Sequence, residues 1–198
     1  SKIKKGDIRS MRKVLQLLSV VVVGIAVALM LISPELVLIF GSPKYREAVY
    51  VIPPVAASVF FIFIYNILSM PQFYYEKTQF LMAASMAAAG ANVVLNFIFI
   101  RLFGYIAAGY TTLACYMLYS VGHYIVSKQI LVNEGIQENL MSPGFLVACS
   151  VFLIGASIIC NLIFPYRILR YAILLASAGL VFWKKELLLK TMADIRKK

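Results

Sequence analysis

The chain has few acidic side chains: eight aspartates and glutamates stand against nineteen lysines and arginines among its 198 residues. None of the eight lies in the middle of a long apolar stretch, so the sequence offers no obvious buried carboxylate for a proton or a sodium ion. Charged residues of both signs account for 14% of the chain, against roughly 25% in a typical soluble domain. The sequence therefore lacks the charged surface that a soluble domain exposes to water.

Groups that bind metals or catalyse reactions are also scarce. The chain has three cysteines, none in a CxxC pair, and a single histidine, His123. It contains no HExxH, GxSxG or Walker-type loop, the motifs that indicate zinc, serine-nucleophile and phosphate chemistry. We therefore expect no enzyme activity, no catalytic residue, no metal site and no cofactor. His123 is expected either to be hydrogen-bonded near the cytoplasmic side or to relay a proton.

Apolar residues, in contrast, are abundant. Hydrophobic residues make up 62% of the chain, against roughly 45–50% in soluble domains. A helix needs about twenty apolar residues to cross a hydrocarbon core of roughly 30 Å. Five uncharged stretches reach that length and a sixth is shorter: 14–34, 48–75, 78–100, 102–127, 139–166 and 171–183. They predict an all-α, polytopic membrane protein of about six transmembrane helices.

The net charge of +11 is concentrated at the two ends of the chain. If six spans alternate in direction, fourteen cations fall on the side of the termini and five on the other. This asymmetry follows the positive-inside rule and predicts that both termini are cytoplasmic. Basic clusters beside apolar helices are typical of contact with anionic lipid, and no basic face interleaved with aromatic residues indicates a nucleic-acid partner.

Prolines and side-chain sizes give expectations about helix ends and packing. Pro34 is expected to stop or kink the first helix, and Met70-Pro71 to begin a polar loop before the third span. The run 83–91 in the third span is small on nearly every face, which predicts a central position in the bundle. The bulky run 59–64 in the second span predicts a side that faces lipid.

Five residues are candidates for a polar site within the apolar spans. Asn92 and Asn96 are four residues apart and therefore share one face of the third span. Tyr65 and Asn66 lie late in the second span, and Arg101 ends the third. The asparagines and Tyr65 either hydrogen-bond a neighbouring helix and fix the packing, or line a polar substrate path. Arg101 either reaches lipid phosphates or meets an anionic lipid substrate.

A series of short motifs between residues 40 and 112 carries a family resemblance. In order, the motifs are Phe40-Gly41, Tyr45, Ala48, Lys77-Thr78, Asn92, Asn96, Gly104-Tyr105-Ile106-Ala107-Ala108-Gly109 and Thr111-Thr112. Their order and spacing resemble the C-terminal half of the polysaccharide and oligosaccharide flippases of the multidrug/oligosaccharidyl-lipid/polysaccharide exporter superfamily. The small triplet is Ala-Ala-Gly where the family has Gly-Ala-Ala, and the resemblance covers residues 14–127.

This resemblance implies one lobe of a two-lobed exporter. Residues 1–127 would be its C-terminal transmembrane region of four helices, 128–144 a cytoplasmic connection, and 145–198 two further transmembrane helices with a basic tail. The lobe would help to flip a lipid-linked oligosaccharide, a polyprenyl-pyrophosphate sugar, from the cytoplasmic to the outer leaflet of the cell membrane. Alternating access would drive this step in polysaccharide biosynthesis, such as lipopolysaccharide or capsule export.

The implied partners, besides membrane lipid, are a missing N-terminal lobe or a second copy of the chain. Three alternatives stay open. The first is a drug/cation antiporter of the same superfamily, although such proteins typically use mid-membrane carboxylates. The second is a membrane-embedded transferase, and the third is a non-catalytic membrane scaffold subunit.

Overall fold

The fold is known from a computed structural model that describes residues 5–183. The first four residues and the basic tail after residue 183 lie outside the described residues, and with them eight of the twelve terminal cations that the orientation prediction counts. Within the described range all regular secondary structure is helical, with no strand. The predicted all-α class is therefore confirmed.

Six α-helices and one short 3-10 helix make up the described chain. They are α1 (Lys5–Phe40), the 3-10 helix Pro43–Tyr50, α2 (Ile52–Tyr74), α3 (Gln79–Phe103), α4 (Ala107–Asn133), α5 (Pro143–Ile163) and α6 (Arg167–Trp183). Helix α4 therefore continues into the segment 128–144, which the sequence predicts as a connection. Each predicted span coincides with one of the six α-helices.

Four of these helices, α1, α2, α3 and α5, are long and apolar enough to cross a membrane. This is the composition of a membrane-embedded protein. Helix α4 is long but carries polar side chains along its middle. Helix α6 has 17 residues, which span about 26 Å at 1.5 Å per residue. A count of about six spans therefore remains a prediction for these two helices.

Two prolines lie inside helices that they were expected to end. Proline has no N–H to donate to the carbonyl four residues earlier, which for Pro34 is that of Met30. The Ser33 hydroxyl donates to this Met30 carbonyl at 2.8 Å, so the carbonyl keeps a partner and α1 continues to Phe40. Of the two outcomes predicted at Pro34, a stop or a kink of the helix, the stop is therefore wrong. Helix α2 likewise passes Pro71 and ends at Tyr74.

The packing order reverses the expectation for the second and third spans. Helix α2 is central: it packs most extensively against α4 and also against α1 and α5. Its bulky side chains Phe60, Phe61 and Ile64 are buried. Helix α3 packs mainly against α4 and has no buried residue. Large side chains can fill the spaces between several helices, whereas alanines give α3 little to interlock with beyond one close neighbour.

Polar contacts join the helix ends at two opposite sides of the bundle. At the first side, which we call the amino-terminal end, Arg9 lies 3.0 Å from Glu138 and Lys77 lies 3.8 Å from Glu134. At the opposite end, the Tyr105 hydroxyl donates to Glu47 at 3.1 Å, and Arg170 pairs with Glu35. Successive helices therefore alternate in direction.

Arg170 and Glu35 make the principal polar contact between α6 and the rest of the bundle. Arg170 is 3% exposed, and its two terminal nitrogens donate to the two carboxylate oxygens of Glu35 at 2.8 and 2.9 Å. Arg170 also donates to the Leu31 carbonyl at 2.9 Å, and the Tyr171 hydroxyl donates to Glu35 at the same distance. Because α6 has few other contacts, this two-pronged ion pair holds it against α1.

The variant Glu35→Gln should destabilise the protein by about 2–3 kcal/mol, because it leaves the buried Arg170 guanidinium without a counter-charge. This is below the about 3–5 kcal/mol typical of a fully buried pair, since the Glu35 side chain is 22% exposed. Unfolding in mixed detergent micelles measures the effect. Arg167→Gln, which changes an exposed cation in the same helix turn, is the matched control. If Glu35→Gln and Arg167→Gln lowered the free energy of unfolding equally, the Arg170–Glu35 ion pair would not be what holds α6 against α1.

Helices α2 and α4 come into close contact at Gly109. A Cβ atom there would lie 2.8 Å from the Pro54 ring and 3.0 Å from the Val51 carbonyl oxygen. About three turns further along α4, the Ser120 hydroxyl donates to the Phe61 carbonyl at 2.9 Å. The absence of a side chain at Gly109 therefore sets the separation of the two central helices.

Gly109→Ala should weaken the fold, because overpacking costs about 1–3 kcal/mol while alanine gains only about 0.5–1 kcal/mol in a helix. The matched control is Gly90→Ala in α3, where no atom lies within 4 Å of the added Cβ. Thermal unfolding in detergent should show a lower midpoint for the first variant and an unchanged or higher one for the second. A stabilised Gly109→Ala protein would overturn this account.

Candidate functional site

Polar side chains from three helices form a series along the α2–α3–α4 junction, which we call the polar seam. Its members are Tyr65 and Gln72 of α2, Ser85, Asn92 and Asn96 of α3, and Thr111, Thr112, Tyr119 and His123 of α4. Neighbouring members are joined by hydrogen bonds or by ring contacts. The seam runs from near the amino-terminal end towards the opposite end.

Helical spacing brings these residues to facing sides of α3 and α4. On α4, positions 112, 116, 119 and 123 are three or four residues apart, so they share one face. On α3, positions 85, 89, 92 and 96 follow the same spacing. Because the two helices run antiparallel, position 85 meets 119 and position 92 meets 112. The local sequence pattern is therefore sufficient to form the two facing sides.

Asn92 and Asn96 hydrogen-bond across to α4. The Thr111 hydroxyl donates to the Asn96 carbonyl oxygen, and the Asn96 amide donates to the Asn92 carbonyl oxygen at 2.9 Å. The Asn92 amide is 3.5 Å from the Thr112 hydroxyl, at the limit of a hydrogen bond. The expected contact with a neighbouring helix is therefore present. Asn96 is committed to it, whereas Asn92 makes only a weak bond and keeps donor capacity.

Asn92 also lines an open cleft of about 450 Å³ between α2, α3 and α4, which we call the polar cleft. Its polar lining consists of Tyr65, Ser85, Asn92, Thr112, Tyr116 and Tyr119. The Tyr65 and Tyr116 rings are parallel within 3°, with centroids 6.3 Å apart, and Tyr119 meets Tyr65 edge-on at 4.6 Å. The cleft therefore presents hydroxyls, one amide and three aromatic rings, and no charged side chain lines it.

A second cleft of about 490 Å³ lies on the same α3–α4 seam, nearer the opposite end, and we call it the apolar cleft. Its lining includes Leu95, Phe99, Phe103, Ile106 and Tyr110. Thr111, which bonds Asn96, also borders it. One helix pair thus carries a polar and an apolar recess, with the asparagine–threonine contacts between them.

Towards the amino-terminal end, the seam closes on a buried pair. The Gln72 amide nitrogen lies 2.8 Å from His123 Nδ1, and both side chains are fully buried. The rings of Tyr119, Phe80 and Tyr65 lie 4.5, 5.5 and 5.8 Å from the imidazole. His123 Nε2 and Gln72 Oε1 have no hydrogen-bond partner among the described residues.

Two of the predicted site residues lie away from the seam. Asn66 is exposed and donates to the Ile62 carbonyl of its own helix at 2.7 Å. Arg101 is also exposed, and its guanidinium lies 3.8 Å from the centre of the Phe97 ring one turn earlier in α3. Tyr65, Asn92 and Asn96 are thus brought together, and Asn66 and Arg101 are not.

Sequence reasoning missed five members of the seam as site residues, of which Thr111 and Thr112 were noted only as part of the family resemblance. Gln72 was placed in a loop because Pro71 was expected to end α2, and Ser85 was hidden in a small-residue run that suggested packing alone. Tyr119 could have been found from the spacing of polar residues on α4. Among residues 5–183, no group of three or more metal-ligating side chains comes together.

No family model, curated protein or solved structure matches this chain.

The Asn96–Thr111 contact should contribute a measurable coupling energy. A double-mutant cycle with Asn96→Ala and Thr111→Val should give about 0.6 kcal/mol and at most about 1.7 kcal/mol, the range found for hydrogen bonds between membrane helices. Unfolding in mixed micelles supplies the four free energies. A second cycle that pairs Thr111→Val with Asn66→Ala should be additive, because Asn66 bonds only its own helix. A coupling of zero in the first cycle would contradict the observed bond.

Proposed function

We propose that this chain forms one lobe of a membrane transporter that moves a lipid-linked oligosaccharide from the cytoplasmic to the outer leaflet. The observation that carries the proposal is the pairing of a polar and an apolar cleft on one seam between helices of membrane-spanning character. An amphiphile whose sugar and lipid parts must be held together needs adjacent surfaces of these two kinds.

The lining of the polar cleft suits a neutral, hydroxyl-rich group. Asn92, Ser85 and Thr112 offer donors and acceptors that match sugar hydroxyls. The tyrosine rings offer flat apolar faces together with hydroxyls, a combination that binds groups with both polar and apolar surface. No carboxylate lines the cleft, so it lacks the acidic group that a cation antiporter would use to pair with its substrate. The lining therefore favours the oligosaccharide over the cation substrate of an antiporter.

The arrangement of helix ends agrees with the proposed orientation. Helix directions alternate, so α1 begins and α6 ends at the amino-terminal end of the bundle. That end also carries Arg9, Arg12, Lys77 and Lys128. We propose that it faces the cytoplasm of a cell whose plasma membrane holds the protein, as the positive-inside rule requires.

Alternating access needs a second wall around the substrate path. Helix α3 packs mainly against α4, and its other faces are uncovered by any described residue. We propose that a missing N-terminal lobe or a second copy of the chain completes the path on this side. The clefts then close and open as the two lobes rock against each other, and no covalent step is needed.

A non-catalytic membrane scaffold is the second candidate. It is favoured by one observation: Asn96, Asn92 and Thr111 satisfy one another, as residues that only fix helix packing would. The two functions differ in what the polar cleft must do. A scaffold would tolerate changes to the cleft lining that leave the fold intact, and a transporter would not.

In the complete transporter, Asn92→Leu combined with Asn96→Leu should slow translocation about fivefold or more, because the polar cleft loses the Asn92 amide, whose hydrogen bond to the substrate would contribute about 1 kcal/mol, together with the Asn96 amide that bonds it. The measurement is the translocation of a fluorescent polyprenyl-pyrophosphate oligosaccharide in proteoliposomes, with membrane insertion checked separately. Asn66→Leu is the matched control and should stay within about twofold of wild type, since Asn66 contacts only its own helix. Normal transport by the double variant would favour the scaffold.

A further inference from the structure

The polar seam contains one side chain whose ordinary pKa lies near neutral pH, and it is held in an uncharged setting. This side chain is His123, the only histidine of the chain, which is fully buried in α4. An ionisable side chain buried among uncharged groups is costly to keep, and such residues are candidates for functional sites. The hydrogen bond to Gln72 and the rings around the imidazole determine which protonation states this histidine can adopt.

Glutamine can serve imidazole in either protonation state. When Nδ1 is unprotonated, the Gln72 amide N–H donates to it across the observed 2.8 Å. When Nδ1 carries a hydrogen, the amide needs only to turn over so that Oε1 accepts. The pair therefore keeps its hydrogen bond whether the ring is neutral or charged. A carboxylate in place of Gln72 would stabilise the protonated imidazole, and an apolar residue would hydrogen-bond neither protonation state.

No fixed charge holds the ring in one state. The titratable groups that face the imidazole are the phenols of Tyr65 on α2 and Tyr119 on α4, and α3 contributes the Phe80 ring. Among the described residues, no charged side chain forms an ion pair or hydrogen bond with it. At the amino-terminal end, Lys77 and Glu134 pair with each other. No counter-charge therefore locks the imidazole into its charged state, and the ring is free to change its protonation.

The pair is also joined to the polar cleft. Tyr65 and Tyr119 contact the imidazole and line the cleft as well. The Tyr119 hydroxyl shares a 2.6 Å hydrogen bond with Ser85 of α3. A change in charge or orientation at His123 is therefore transmitted to two side chains of the cleft wall without any intervening residue.

We propose that His123 and Gln72 form a reversible proton-binding site that reports to the polar cleft. One proton from water is taken up on the unprotonated ring nitrogen, the Gln72 amide turns to suit, and no other bond changes. In the proposed transporter this makes the proton the coupling ion. That second statement rests on the proposed function, whereas proton binding itself does not.

The test uses the fact that the chain has a single histidine. The 198-residue chain, which has this one histidine, is labelled with [15N]histidine, purified through a histidine-free tag and placed in nanodiscs of zwitterionic phosphatidylcholine. Nitrogen NMR then reports the protonation of His123 alone. The expected result is a reversible, one-proton titration between about pH 5 and about pH 8. An imidazole that stays neutral down to about pH 5 would overturn the proposal.

Substitutions of Gln72 test whether this side chain controls the proton affinity of His123. Gln72→Glu should raise the proton affinity of His123 about tenfold or more, because it supplies a counter-charge in nearly the same shape. Gln72→Leu should lower the affinity about threefold to tenfold through loss of the acceptor. Gln129→Glu adds the same charge at an exposed position of α4 and should change the affinity less than about twofold. Equal responses to Gln72→Glu and Gln129→Glu would contradict the proposal.

The coupling statement is tested separately in proteoliposomes. Translocation should depend on the pH gradient in wild type and lose that dependence in His123→Gln. Titration of His123 in a protein that translocates nothing would keep the proton site and remove the transporter. Translocation that ignores the pH gradient, or a histidine that does not titrate in an active protein, would remove the coupling and leave the transporter.

Discussion

The structure depends on one constraint: a polar side chain inside an apolar helix must find its partner within the protein, because lipid offers none. The chain meets the constraint in two ways. Many serine hydroxyls donate a hydrogen bond to a backbone carbonyl of their own helix, as Ser19 does to Leu15. On α4, in contrast, polar residues reach across: Ser120 bonds α2, and Thr111 and Tyr119 bond α3. These contacts place α4 between its two neighbours.

The same constraint explains where the candidate site lies. Polar groups that must meet inside the bundle converge on the α2–α3–α4 junction, where three tyrosines line the polar cleft. The Asn96–Thr111 hydrogen bond fixes α3 on α4, whereas Asn92 makes only a weak bond to Thr112 and keeps donor capacity in the cleft. The buried Gln72–His123 pair is the least satisfied part of the seam. The contacts that fix the packing and the groups with unused hydrogen-bonding capacity thus lie at different points of one helix interface.

Sequence reasoning succeeded for the helices and for part of the site. Long apolar stretches placed all six α-helices, and four-residue spacing put Asn92 and Asn96 on one face. The stop that was one of two outcomes predicted at Pro34 is absent, because the Ser33 hydroxyl bonds the carbonyl that proline leaves free. Sequence reasoning failed at Pro71, where α2 continues to Tyr74. That failure removed Gln72 from the site. The central position of α2 was also missed, since burial depends on which helices meet and not on one helix's composition.

By itself, the sequence determined the all-helical fold, the membrane-like character of four helices and the presence of basic residues near the helix ends. These follow from hydrophobicity and length, which are local properties of the chain. Only the tertiary structure decided that α3 lies at the edge, that Arg170 of α6 reaches Glu35 of α1, and that His123 meets Gln72. Such pairings join residues far apart in the chain, 135 positions for Arg170 and Glu35 and 51 for the histidine pair. They depend on how helices approach in space, which no local pattern encodes.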